Sequence, residues 1–109
     1  MLDAELNVIE FPSHLKNLIA KFPLLPETAK KLIAAIADEL GSPEGFTPRH
    51  KLNDVSRSFP YNFRTMANRD ASKTGPKEKI LVGKHMMYRN LSLLELLCED
   101  LTRKEGGIQ

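Results

Sequence analysis

At 109 residues, with 41% hydrophobic side chains, 28% charged side chains and a net charge of +2, the chain has room for one domain, or one small domain with an extension. That size excludes a large cofactor-binding fold, and the apolar content excludes compositional disorder. The single cysteine, Cys98, excludes a disulfide framework and a thiolate metal cage. No apolar run approaches the roughly 20 residues of a membrane span, and residues 1–10 hold three acids and no base, unlike a secretory leader. A cytoplasmic, reducing setting is therefore expected.

Residues 1–10 read as a frayed start. Ser13 is a candidate N-cap, and Leu15, Leu18, Ile19 and Phe22 follow at helical spacing until Pro23 stops the pattern. From Glu27 to Leu40, the residues Leu32, Ile33, Ile36, Ala37 and Leu40 draw an apolar stripe that predicts a second helix, closed by Gly41. Ser42-Pro43-Glu44-Gly45 reads as a linker, so residues 1–45 form a helical extension that either packs on the rest or pairs with another copy.

Thr47-Pro48 has the form of a helix entrance, with threonine as cap and proline at the first turn. Leu52 and Val55, with Phe59 beyond, predict the apolar side of a short helix before Pro60 interrupts it. A further helix then starts at Tyr61-Asn62. Its apolar face takes Phe59, Phe63, Met66, Ala67 and Asp70 at i, i+4, i+7, i+8 and i+11, and its opposite face takes Asn62, Arg64, Thr65, Asn68 and Arg69. After Ser72-Lys73-Thr74-Gly75-Pro76, residues 79–82 and 85–88 read as a β-hairpin about Gly83-Lys84, with Ile80, Val82, Met86 and Tyr88 sharing a buried face. Leu91, Leu94, Leu97, Cys98 and Leu101 predict a closing helix, and residues 105–109 a flexible tail.

Charge is distributed unevenly over these elements. Residues 1–45 hold four lysines against seven acids, a net of −3. Residues 46–90 hold ten bases against three acids, a net of +7, and residues 91–109 hold two bases against four acids, a net of −2. The basic segment coincides with the helix pair and the hairpin. The fold expected is mostly α with a small β-hairpin wing: a winged helix-turn-helix over residues 46–104, preceded by a helical hairpin.

Such a fold carries one helix into the major groove, where arginine and asparagine reach guanine and adenine edges. The base-reading candidates are Asn62, Arg64, Thr65, Asn68 and Arg69. Arg49, Lys51, Lys73, Lys79, Lys84 and His85 are candidates for the phosphate backbone, where they would add salt-dependent affinity and fix register. Each has a plainer use: arginine as a solvated surface residue, asparagine as a local cap, lysine as a guard on a strand edge.

Residues 51–101 resemble the excisionase-type winged helix of the MerR-like group, found in phage recombination directionality factors and small prophage regulators. The resemblance rests on Phe59-Pro60-Tyr61, on Met66-Ala67-Asn68-Arg69-Asp70, on Gly75-Pro76-Lys77, and on Val82-Gly83-Lys84 through Tyr88. The closing helix has Leu96-Leu97 where that family often has tryptophan. The resemblance implies that residues 62–69 enter the major groove and residues 79–85 meet the backbone or minor groove. It also implies double-stranded DNA as partner, a recombinase or integrase as a second partner, and either transcriptional regulation or an architectural role in excision. A homodimer is a further expectation.

Tyr61 and Tyr88 read as packing residues with hydrogen-bonded hydroxyls, and Cys98 and the methionines as core. His14, His50 and His85 are scattered and show no ligand spacing, so no metal or other cofactor is expected. There is no glycine-rich phosphate loop, no nucleophile beside a histidine and no paired carboxylates, so no enzyme is expected. The rival expectation is a protein-interaction adaptor on the same scaffold, with its acidic extension docking a partner.

Overall fold

The computed structural model describes residues 15–107, so the Ser13 cap and His14 lie outside the described residues. The fold is mostly helical with a small three-stranded antiparallel sheet. Helical residues 15–20 form the described part of α1, followed by α2 (Glu27–Leu40), β1 (Phe46–Pro48) and a 3-10 turn (Arg49–Lys51) that runs into α3 (Leu52–Val55). Then come α4 (Phe63–Ala71), β2 (Lys79–Val82), β3 (His85–Arg89) and α5 (Asn90–Gly107). None of the described helices is long and apolar enough to cross a membrane.

Helix α2 keeps the limits that its stripe predicts. Ala29, Ile33, Ile36, Ala37 and Leu40 are buried against α5, and Gly41, at φ +93°, closes the helix with its N–H on the Ala37 carbonyl. Helix α5 is buried over more than a stripe: Leu93 and Leu96 are as enclosed as Leu94, Leu97 and Cys98. It lies between α2 on one side and the sheet on the other, so two faces need apolar cover. The helix also runs on to Gly107, past the start of the expected tail at 105, because no proline stops it. Burial pushes the Cys98 thiol up to about 12, with Glu95 and Glu99 adding to the effect, which leaves it protonated and inert.

One apolar cluster runs from Leu18 and Leu25 through α2 to Leu52, Phe59, Met66, Tyr88 and α5. The expected boundary at residue 45 therefore does not separate two cores. Polar contacts cross it too. Glu39 of α2 accepts from the Ser56 hydroxyl (2.7 Å), the Ser58 amide (3.0 Å) and the Ser58 hydroxyl (2.9 Å), fixing the turn between α3 and α4. These bonds, that of Ser56 foremost, hold the Glu39 carboxyl below its usual range.

Thr47 does not cap a helix. Thr47 lies in β1, paired with Tyr88, and its buried hydroxyl donates to Asn90 Oδ1 at 2.5 Å. Asn90 in turn donates to the Ser42 carbonyl (2.8 Å) and receives the Gly45 carbonyl on its own N–H (2.9 Å). A residue that reads as a helix entrance becomes a third strand because Asn90 and β3 offer it a better set of partners than a helix end does. The sheet order is β1-β3-β2.

Candidate nucleic-acid interface

Helix α4 begins where Pro60 leaves an extended backbone and Asn62 Oδ1 accepts from the Thr65 amide at 2.9 Å. It ends on Lys73, which adopts a left-handed φ of 64° while its N–H reaches the Asp70 carbonyl (3.1 Å) and the Thr74 N–H reaches that of Arg69 (2.8 Å). This paired closure usually has glycine at the left-handed position.

Of the expected inward face of α4, Met66 and Asp70 do meet the core and Phe63 does not, while Arg69, expected on the opposite face, joins them. Met66 is fully buried, whereas Phe63 is 57% exposed, because the helix is rotated so that its ion-pairing residues, rather than its aromatic, meet the core. Arg69 is thereby removed from the free face. Its Nη1 and Nη2 donate to Asp100 at 2.6 and 3.1 Å, its Nε and Nη2 donate to the Thr74 carbonyl at 3.1 and 2.8 Å, and its guanidinium lies 5.5 Å from the Tyr61 ring centre. The Tyr61 hydroxyl also donates to Asp100, at 2.6 Å. Burial works most strongly against the Asp100 charge, but the bonds from Arg69 and Tyr61 outweigh it and hold the carboxyl below its usual range. Burial, with Asp100 beside it, pushes Tyr61 up to about 12.

Asp70 is the centre of a second network. It accepts from Arg49 (2.6 Å), the Tyr88 hydroxyl (2.5 Å) and Lys79 (3.2 Å), and Arg49 Nε also donates to the Tyr88 oxygen (3.0 Å). Desolvation again opposes ionisation, and the bonds from Tyr88, Arg49 and Lys79 overcome it. A Cβ on Gly75 would overlap the Asp70 carboxylate, so the Gly75-Pro76 connection passes where only glycine fits. Arg49 thus serves the fold, and Lys79 is tied to the same acid.

The remaining candidates stay outside these networks. Arg64, Asn68 and Ala71 are exposed at i, i+4 and i+7 along the outer side of α4. Lys51, Arg57, Arg64, Lys73 and Lys84 make no ion pair among the described residues, whereas Arg49, Arg69, Lys77, Lys79 and Arg89 all do. Arg57, in the turn before α4, is a cation not singled out from the sequence; the bonds from Ser56 and Ser58, on either side of it, to Glu39 are legible only in the fold. Asn62 spends its carboxamide oxygen on the cap, and Thr65 is half-buried with its amide taken by that cap. His85 is exposed, and its ring centre lies 4.6 Å from that of His50, joining the 3-10 turn to the hairpin.

The expected buried face of the hairpin also differs. The register sets Tyr88 opposite Lys79 and Met86 opposite Leu81, whereas Ile80 and Val82 lie opposite Met87 and His85 on the other face of the hairpin, so the four residues expected to share a face do not; Tyr88 is enclosed, and Ile80, Leu81 and Val82 on the outer strand are each more than half exposed. Val55 is likewise exposed. Among the described residues, no group of three or more His, Cys, Asp or Glu side chains could hold a metal ion. Comparison with protein-family models, curated proteins and solved structures found no significant match.

Proposed function

We propose that the chain is a sequence-specific double-stranded DNA-binding protein built as a winged helix-turn-helix, with α3 and α4 as the helix pair and the β2–β3 hairpin as the wing. The order α2-β1-α3-α4-β2-β3 supports the fold reading. One observation carries the function: the basic segment sorts into arginines neutralised by carboxylates and a set of cations without such partners on α4 and its flanks. Arg64 and Asn68, one turn apart, are the base readers, suited to guanine and adenine edges respectively. Lys51, Arg57, Lys73, Lys84 and His85 contact phosphate. The resemblance to excisionase-type proteins adds a role as a small regulator or as an architectural factor beside a recombinase, in a phage or mobile element.

Fluorescence anisotropy of the full chain against the duplex upstream of its own coding region, beside a random duplex, tests the reading. Preferential binding that weakens with salt, with a log-log slope of about −0.9 per phosphate contacted, is the expected result. Binding that is absent or indifferent to salt overturns it. The exposed Phe63 favours a second reading, a protein-interaction adaptor on the same scaffold. Arg64→Ala separates the two: a base reader loses about 1–3 kcal/mol of DNA affinity, whereas an adaptor keeps its partner.

A further inference from the structure

Strand β2 is an edge strand, and its outward side carries unused pairing capacity. The Arg89 N–H donates to the Glu78 carbonyl at 3.0 Å, and Val82 faces His85 across the two-residue turn. The Glu78 N–H goes to the Ser92 hydroxyl of α5 at 2.9 Å, and antiparallel alternation commits the Glu78 carbonyl and the backbone groups of Ile80 and Val82 to β3 and turns those of Lys79 and Leu81 to the open edge. Natural edges are blunted by lysine, proline or a bulge. The only lysine of β2, Lys79, is folded back onto Asp70, the register with β3 is regular, and Ile80, Leu81 and Val82 are 55%, 61% and 55% exposed. The opposite edge, β1, is short and ends in Pro48.

We infer that this edge is a self-association surface, on which β2 of a second copy of the chain pairs antiparallel about a two-fold axis at Leu81. The occupant follows from self-complementarity. With Leu81 opposite itself, Ile80 meets Val82 of the second copy on the outer face, and Glu78 meets Lys84 of the second copy. Moving the axis to Ile80 would set the Glu78 carboxylate against Val82 instead. Glu78 binds Arg89 through Oε1 only, so its second oxygen can accept from that lysine. A strand pair this short covers less than the roughly 1,000 Å² of a durable interface, so the association is weak and concentration-dependent. It stands on the hairpin alone; where DNA is bound, the two-fold would offer two α4 helices to inverted half-sites that hold the copies together. Of the cations proposed for phosphate, the dimer redirects Lys84 alone to Glu78, and Lys51, Arg57, Lys73 and His85 keep that role.

Sedimentation of the full chain, without DNA, over a concentration series tests this. The average mass should rise toward that of two chains, and Leu81→Lys, which sets like charges on the axis, should abolish the rise while leaving the thermal melt unchanged. In an independent arm, Leu81→Cys should form a disulfide-linked dimer under mild oxidation, because facing hydrogen-bonded residues sit about 5.5 Å apart between Cα atoms. Leu24→Cys, on the exposed α1–α2 connection, should not. A chain that stays monomeric, association that survives Leu81→Lys, or equal cross-linking at residues 24 and 81 overturns the inference. So does a monomer whose residue-81 thiol resists alkylation, since the edge is then not open. DNA affinity is read separately, so either proposal can fail without the other.

Discussion

The α2–α5 half of the molecule and the α4–hairpin half are held by different forces. Between α2 and α5 the contact is aliphatic: Ile33, Ile36, Leu93, Leu94 and Leu97 are almost wholly enclosed, and burial of that kind contributes about 1.5–3 kcal/mol per side chain. Around α4 only Met66 is buried along the helix, and the element is fastened by Asp70 and Asp100, each gathering an arginine and a tyrosine hydroxyl. The lesson is about surface. A helix anchored by a few directed ion pairs needs little of its circumference for the core, and α4 keeps Phe63, Arg64 and Asn68 outside.

Breaking the aliphatic half should have the largest effect. Ile33→Ala or Leu94→Ala should cost about 2–5 kcal/mol in chemical denaturation. Because the cluster is continuous, both halves should unfold in the same transition.

Asp70→Asn comes next, at about 3 kcal/mol, the low end for removing one partner of a buried pair, since Arg49 keeps part of its side chain in water. Acid should act through the carboxylates of this half and through Glu39, which joins it to α2. The Asp70 and Asp100 carboxyls are held below their usual range in the folded state, so the stability they contribute is complete above the unfolded carboxyl value of about 3.9 and is lost as pH falls through their lower folded values. There is no tryptophan, and the chain's two tyrosines both sit in these networks, so near-ultraviolet circular dichroism reports this loss directly. In Asp70→Asn the acid transition should flatten.

Two arginines of one helix sharpen the comparison further. Arg64→Ala should weaken DNA binding by about 1–3 kcal/mol and leave stability within about 0.5 kcal/mol. Arg69→Ala should reverse the order, lowering the melting temperature by leaving the enclosed Asp100 with only the Tyr61 hydroxyl and the exposed Arg103. The smallest effect belongs to Lys73→Gly, which relieves a left-handed backbone and should stabilise by about 0.5–1 kcal/mol, while lowering the salt dependence of DNA binding by one contact.

Much of the element order is legible in the residues. The stripe from Glu27 to Leu40 has the period and the glycine stop of a helix, and Gly83-Lys84 between β-branched and aromatic runs marks a hairpin; both are local signals that need no partner. Strand β1 is not legible, because Thr47-Pro48 suits a helix start equally well until Asn90 and Tyr88, some forty residues away, are brought beside it. The inward turn of Arg69 escapes for a similar reason: Phe63 outranks it on any scale of hydrophobicity, and only the Asp100 carboxylate on α5 reverses the ranking.

What the sequence determined by itself is the division of charge, a basic middle between acidic flanks, together with the periodicities that make its helices and hairpin. Which basic residues are spent on the fold and which remain outside was decided by tertiary structure alone. An arginine carries the same charge wherever it stands, and whether that charge is available depends on a carboxylate placed within hydrogen-bonding distance by another part of the chain.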